Sequence, residues 1–288
     1  MALPLTIHRE PTFSEARLVL GFSGWMDGGD VSTGTVEYLV SRYQMAEMAV
    51  IHPQHFFVYN VPGPMEIAAL FRPHARIEDG LVTTFDEPAN TFYACPEHNL
   101  ILFQGREPNL RWKTFADCIF HIAATFGVTR IFFVGSVAGV APHTRLPRFF
   151  SSVSDASLKP LLQQHDLEPS NYAGPASFIT YLTARCPEYG IEMLSLITEI
   201  PAYVQGHNVK CIEAAVQKLG QLLDLSIRTD DLHFMSAEFE KQLNKIIRKR
   251  PELAELIDKL ESDYDRQVVD SHMADLKAWF EKQDIRLD

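Results

Sequence analysis

Residues 110–135 constrain the fold more than any other part of the chain. The first part of this segment repeats large apolar residues at spacings of three and four, which predicts an amphipathic helix over residues 110–126. Gly127 follows, where a left-handed helix cap is expected. Residues 129–135 are an unbroken apolar run, typical of a central strand that is covered on both faces. A helix leading directly into such a strand predicts a parallel sheet with crossover helices.

The same alternation continues on both sides of this segment. A short strand is predicted first, followed by a glycine-rich turn and a helix that Asp27 or Asp30 can cap. Farther along the chain the pattern predicts a helix, a strand and another helix. Prolines separate several short β-rich stretches. The predicted strands and helices are 17–22, 30–43, 49–52, 56–59, 81–85, 92–95, 100–104, 175–184, 191–198 and 209–223.

Composition changes near residue 230, because residues 230–288 contain 25 of the chain's 63 charged residues. Apolar residues in this segment keep helical spacing, and Pro251 fits the first turn of a second helix. The narrow apolar stripe is compatible with docking onto the α/β body or with an oligomer or partner interface. We therefore expect an α/β domain over 1–229 and a charged helical segment over 230–288.

Charge and apolar patterning exclude several classes of protein. The net charge of −11 disfavours binding to a nucleic-acid backbone, which requires basic stripes. No run of about 18 apolar residues predicts a membrane-spanning helix, and the first residues lack the features of a secretory signal. The four cysteines are widely spaced without a C-x-x-C pair, so reduced core thiols are expected. The cytoplasm is the expected location.

The glycine turn (residues 21–29) is the first candidate ligand loop. Gly24, Gly28 and Gly29 permit positive φ and close approach of the backbone, and the following helix offers N–H groups to an anion. The spacing matches neither G-x-G-x-x-G nor G-x-x-x-x-G-K-[ST], so the common nucleotide motifs are excluded. The alternative is a tight turn that allows close packing of helix and strand.

The second candidate loop, residues 135–145, follows the buried strand. Ser136, His143, Thr144 and Arg145 are predicted to project into one crevice at the carboxyl end of the sheet. Arg145 has the donor geometry to hold a phosphate or carboxylate, and His143 can move a proton near neutral pH. The alternative is that these side chains satisfy loop backbone groups or make a subunit contact.

Two other motifs are incomplete. Ser23 misses the G-x-S-x-G nucleophile elbow because Trp25 occupies the final glycine position, which disfavours a serine hydrolase. His52 and His55 have a spacing seen in metal sites, but no matching Cys or His pair completes a tetrahedral set. Neither a metal nor a cofactor is expected.

Five segments together resemble the PAC2 family, named for a proteasome assembly chaperone, and its bacterial branch in particular. They are Gly-Phe-Ser-Gly-Trp-Met-Asp-Gly-Gly at 21–29, Pro-His-Thr-Arg at 142–145, Tyr-Ala-Gly-Pro at 172–175, Ile-Pro-Ala-Tyr-Val at 200–204 and Leu-Glu-Ser-Asp-Tyr-Asp at 260–265. Each segment alone is a weak match. Because all five occur in the same order along most of the chain, together they are a more specific match.

The resemblance implies a three-layer α/β/α sandwich similar to nucleoside phosphorylases and hydrolases, and it implies self-association. Archaeal and eukaryotic relatives that assist proteasome assembly dock through a C-terminal hydrophobic–Tyr–any-residue ending. This chain ends in Asp-Ile-Arg-Leu-Asp and lacks that ending. The resemblance also leaves the activity of the bacterial members open.

Three functions therefore stay open at this stage. The first is a non-catalytic, chaperone-like homo-oligomer that binds or assembles another protein. The second is a purely structural oligomer. The third is an enzyme or binder acting on a nucleoside-like or phosphate-bearing small molecule, with Arg145 and the glycine-turn amides on phosphate. Its candidate site comprises Ser23, Gly24, Gly28, Gly29, Ser136, His143, Thr144 and Arg145.

Overall fold

The computed structural model describes residues 3–69, 71–204 and 206–282, with side chains described up to residue 266. Eleven strands and eight α-helices are present in this part of the chain. The strands are β1 (Leu5–Ile7), β2 (Arg17–Ser23), β3 (Ala46–Ile51), β4 (His74–Glu78), β5 (Leu81–Asp86), β6 (Thr91–Cys95), β7 (Leu100–Arg106), β8 (Arg130–Gly139), β9 (Phe149–Ser151), β10 (Glu168–Pro169) and β11 (Glu192–Pro201). The helices are α1 (Val31–Arg42), α2 (Met65–Ala69), α3 (Trp112–Thr125), α4 (Lys159–Gln164), α5 (Phe178–Arg185), α6 (Val209–Leu223), α7 (Asp230–Ile247) and α8 (Pro251–Lys282).

Nine strands form one sheet in the order β1-β3-β6-β7-β2-β8-β11-β9-β10. The four central strands, β7, β2, β8 and β11, are mutually parallel. Antiparallel pairs extend the sheet on both sides, through β6 next to β7 and β9 next to β11. The predicted parallel sheet is confirmed for its centre, where the strands with continuous apolar runs lie.

Helices cover both faces of the sheet, which confirms the α/β sandwich. The core on one face contains the buried side chains of α3 and α5, and the core on the other contains those of α1 and α6. Alternate residues of the central strands supply the two cores, as Phe133 and Phe132 of β8 show. Because both faces are buried, these strands are apolar throughout instead of alternating.

Most of the predicted helices and strands are present, with small shifts at their ends. The helix predicted over 209–223 has those bounds in the structure. The helix predicted from 110 begins at Trp112, because Arg111 takes the left-handed conformation. The prediction of a strand at 56–59 is wrong. There the Phe56 carbonyl accepts the Asn109 and Leu110 N–H groups of a loop, so the segment joins no strand ladder.

A separate antiparallel hairpin of β4 and β5, called the arm below, forms its own two-stranded sheet. Every residue of both strands is exposed. An isolated two-stranded hairpin is marginally stable in water. The arm therefore has no buried core of its own.

The charged C-terminal segment forms two helices, and Pro251 begins the second of them as predicted. Helix α7 packs along α6, and Leu232 near its start is buried in the core beneath. Ile257 of α8 is also buried. Ile247 and Ile257 of the apolar stripe are buried, whereas Ile246 and Leu256 of the same stripe are exposed, so docking accounts for part of the stripe.

Candidate functional site

The glycine turn links β2 to α1, and Asp27 organises it. One carboxylate oxygen of Asp27 accepts the N–H groups of Ser32 and Thr33 at 2.8 and 3.1 Å, and the other accepts the Thr33 hydroxyl at 2.8 Å. Asp27 is therefore the side chain that caps α1, while Asp30 makes no capping bond. Burial raises the pKa of Asp27 to about 6.

The rest of the glycine turn packs tightly against β8, β11 and the start of α6. Gly29 has a φ of +66°, and a Cβ there would lie 2.9 Å from the Asn208 Cβ. A Cβ on Gly28 would lie 2.8 Å from the Ile200 Cδ1. The buried Ser136 hydroxyl donates to the Gly28 carbonyl at 2.6 Å. These contacts give Gly28, Gly29 and Ser136 a packing role.

At the other end of the turn, Glu107 holds Gly24 and its neighbour in place. One Glu107 carboxylate oxygen accepts the Trp25 N–H at 3.1 Å, and the other accepts the N–H of Phe178, the first residue of α5, at 2.7 Å. Gly24 has a φ of +135°, with a Cβ position 3.1 Å from the Glu107 Cβ. Glu107 was not singled out in the sequence, where it is one acidic residue just after an apolar strand.

His143 lies buried between the body and helix α7. Its backbone N–H and its Nδ1 both lie 2.8 Å from the Tyr203 hydroxyl, and its Nε2 lies 3.2 Å from the Asn244 Oδ1. Desolvation lowers the pKa of His143. Lys210 donates to the His143 carbonyl at 2.6 Å and pairs with Glu240 of α7. His143 is thus part of the contact that positions α7.

Thr144 and Arg145 make the equivalent contact with helix α8. The Thr144 hydroxyl donates to Glu261 at 2.5 Å. Arg145 donates from Nε and Nη2 to the two oxygens of Asp265, both at 2.8 Å, which is the bidentate geometry predicted for a ligand carboxylate. Asp265 raises the pKa of Arg145. In addition, Tyr264 donates to the Leu146 carbonyl. The second candidate loop therefore contacts both α7 and α8.

The structure does not bring the two candidate loops together around one open pocket. His143 and Arg145 line a small cavity of about 10 Å³, which is about the room that one water needs. Ser23 instead lines a separate open groove of about 670 Å³. The shared crevice expected from the sequence is therefore divided into two places, because α7 and α8 pack onto the second loop.

The open groove lies between α1 and the base of the arm. Its floor includes Thr91, Tyr93 and Gln104, and Arg106 lies at the carboxyl end of β7. Acidic and basic side chains form much of its walls, and they are Asp27, Asp30, Glu37, Arg72, His74, Asp86 and His207. Sequence reasoning missed Gln104 and Arg106 as site residues. The sequence feature that could have indicated them is the change from apolar to polar residues at the end of the predicted strand 100–104.

Within the described residues, no group of three or more His, Cys, Asp or Glu side chains is arranged to hold a metal ion. A search of the same residues for a helix long and apolar enough to cross a membrane found none.

Comparison with known proteins assigns the chain to a family. The profile of the PAC2 family matches residues 21–247, which is most of the chain. This chain therefore belongs to the PAC2 family. No curated protein matches it at a significant level.

Solved structures from bacteria and an archaeon share the fold. A Mycobacterium tuberculosis protein of unknown function has a TM-score of 0.83 at 19% identity, over 96% of this chain and 93% of that one. A proteasome-assembly chaperone homologue from the same organism has a TM-score of 0.72 at 25% identity, over 84% and 99% of the two chains. An archaeal proteasome activator from Pyrococcus furiosus has a TM-score of 0.60 at 17% identity, over 84% and 97%.

Proposed function

We propose that this chain is a non-catalytic, chaperone-like assembly protein that self-associates and binds a protein partner. Membership of the PAC2 family supports the chaperone-like role, and so does the similarity to a proteasome-assembly chaperone homologue. The side chains of His143, Thr144 and Arg145 support a non-catalytic role for their loop, because they are engaged by α7 and α8. We also propose a cytoplasmic location, which suits four buried, unpaired cysteines.

The observation that carries this proposal is the unsupported apolar face of the arm. In a β-ladder, residues directly opposite each other share a face. The pairs Ala75–Phe85 and Ile77–Val82 therefore lie on one face, and a bulge between the two pairs keeps them there. Ile77, Val82 and Phe85 are 65%, 65% and 56% exposed. Burying one such side chain fully stabilises a complex by roughly 1.5–3 kcal/mol.

The opposite face of the arm carries its charged side chains, together with the exposed Leu81 opposite Glu78. His74 pairs with Asp86 across the two strands at 3.4 Å, and Arg76 pairs with Glu78 at 3.8 Å. These are exposed pairs that contribute little to stability. The arm is therefore an amphipathic ribbon whose apolar face, and not its charged face, lacks a partner within the described chain.

A second copy of this chain is the proposed occupant of that face. With a net charge of −11, two copies repel each other at long range, so they meet most easily where neither presents charge. The face made by Ala75, Ile77, Val82 and Phe85 has no ionisable side chain. Helix α2, which precedes the arm in the chain, also has exposed apolar side chains at Met65 and Ile67.

The substitution Ile77→Lys tests this interface, with Thr84→Lys as a matched control on the charged face. We expect light scattering to give a multiple of the 32.6 kDa chain mass for the wild type and for Thr84→Lys. Ile77→Lys should reduce the mass towards that of one chain, because burying a lysine in an apolar contact is costly. A monomeric wild type, or an Ile77→Lys oligomer of unchanged mass, contradicts the interface.

We also propose that the charged segment 230–288 is a second unit of the protein. In its described part, α7 and α8 contact the loop that carries His143 and Arg145. The C-terminal residues 283–288, which were compared above with the proteasome-docking ending, lie outside the described part of the chain. Affinity capture from the source cytosol tests the partner role. A specific protein recovered with both the wild type and Thr84→Lys supports that role, and repeated failure to recover one counts against it.

A further inference from the structure

We propose that the open groove between α1 and the base of the arm binds a small, uncharged, polyhydroxylated molecule of the sugar or nucleoside class. This site is distinct from the arm interface and from the loop that contacts α7 and α8. It also differs from the candidate site predicted from the sequence, because Ser23 is the only one of those eight predicted residues that lines the groove.

The topology places the groove where open α/β sheets hold ligands. β2 and β7 are adjacent parallel strands. The helix after β2 is α1, which packs on one face of the sheet, and the helix after β7 is α3, which packs on the other. Adjacent strands whose connections depart to opposite faces leave a crevice outside their carboxyl ends. Ser23 and Arg106, the last residues of β2 and β7, both line the groove.

The size of the groove suits a small molecule, and its lining is polar. At about 670 Å³ it falls within the range of ligand pockets. Thr91, Tyr93 and Gln104 supply a hydroxyl, a phenol ring and an amide from the sheet. Gln104 donates to Glu37 at 2.7 Å, which holds its amide in one orientation. The groove therefore presents polar groups of the sheet to a bound molecule.

The charges of the groove disfavour a phosphate. Four carboxylates line it, from Asp27, Asp30, Glu37 and Asp86, together with two arginines and two histidines that pair with Asp30 and Asp86. The N–H groups at the start of α1, which would otherwise attract an anion, already bond to Asp27. Ligand hydroxyls instead donate well to carboxylates and accept from guanidinium groups. The aromatic ring of Tyr93 offers a surface for the apolar face of a sugar or for a base.

Thermal unfolding of the full chain with adenosine, D-ribose or inorganic phosphate tests the site. We expect millimolar adenosine or ribose to raise the Tm by about 2–4 °C, and phosphate to leave it unchanged. Gln104→Leu should abolish the shift, and Gln164→Leu, which changes an exposed glutamine on α4 outside the groove, should retain it. No shift with adenosine or ribose, a shift with phosphate alone, or a full shift in Gln104→Leu overturns the proposal.

Hydrogen exchange of the wild type with and without adenosine provides a second measurement if Gln104→Leu does not fold. Protection is expected in residues 23–37 and 104–106, and protection confined to other segments also overturns the site. The oligomer mass of Ile77→Lys is measured without any ligand, so failure of this proposal and failure of the proposed assembly role are distinguishable.

Discussion

Gly29 and Gly190 have nearly the same backbone conformation, with φ of +66° and +67°, but their surroundings differ. A Cβ on Gly190 would meet nothing within 4 Å, whereas one on Gly29 would lie 2.9 Å from the Asn208 Cβ. At Gly190 the conformation alone requires glycine. At Gly29 the close approach of the turn to α6 requires it as well.

This difference predicts the effect of alanine at each position. Gly190→Ala should lower the free energy of unfolding by about 1 kcal/mol, the cost of a left-handed alanine. Gly29→Ala should lower it by roughly 2–4 kcal/mol, because overlap with Asn208 adds to that cost. Urea denaturation of both variants measures the difference. Equal losses would show that the turn is not held against α6.

Helix α8 is attached to the body largely through the loop before β9. The bidentate Arg145–Asp265 contact is reinforced by Glu261, which accepts from Thr144. Tyr264, which lies between Glu261 and Asp265 in the sequence, donates to the Leu146 carbonyl. The Arg148 Cζ lies over the Tyr264 ring, 5.2 Å from the ring centroid. The family segments at 142–145 and 260–265 are therefore two sides of one contact between elements.

Arg145→Ala is expected to loosen α8 without unfolding the sheet. Exposed ion pairs contribute 0.2–1 kcal/mol each, so loss of both carboxylate contacts should cost about 1 kcal/mol locally. Backbone amides of residues 255–266 should then exchange hydrogen about five times faster. Lys113→Ala, which breaks the exposed pair with Asp117 on α3, is the control and should leave that rate unchanged. Unaltered exchange in Arg145→Ala would mean that other contacts hold α8.

At the scale of the whole molecule, the excess of acidic residues makes stability depend on pH in a diffuse way. Asp27 adds a pH dependence that can be assigned to one residue, because burial raises its pKa from 3.8 to about 6. The folded state therefore retains the Asp27 proton at pH values where the unfolded state has lost it. The contribution of Asp27 to stability is largest below pH 4 and declines as the pH rises towards and beyond 6.

Asp27→Asn isolates this contribution, because asparagine keeps an oxygen that can accept the Ser32 and Thr33 N–H groups and does not ionise. The free energy of unfolding of the wild type minus that of the variant should fall by about 2 kcal/mol between pH 4 and pH 7.5. Taking the difference cancels the diffuse effect of net charge. Urea titrations at the two pH values measure it, and a difference independent of pH would contradict the raised pKa.

The three-layer sandwich was implied by the family resemblance, whereas residue patterns predicted the α/β class, the parallel centre of the sheet and the boundary at Pro251. These depend on periodicity and on breaker residues, which act over short stretches of chain. The family segments were also recognisable, and the PAC2 assignment is confirmed.

The roles of the family segments at 21–29, 142–145 and 260–265 depend on contacts between distant elements, which the sequence did not reveal. The geometry expected of Arg145 with a ligand is satisfied by Asp265, 120 residues away in the chain. The groove likewise depends on β2 and β7, which are neighbours in the sheet although β3 to β6 separate them in sequence. Local patterns specify which elements form, but contacts between distant elements decide whether a polar side chain is left available for a ligand or used to hold the fold together.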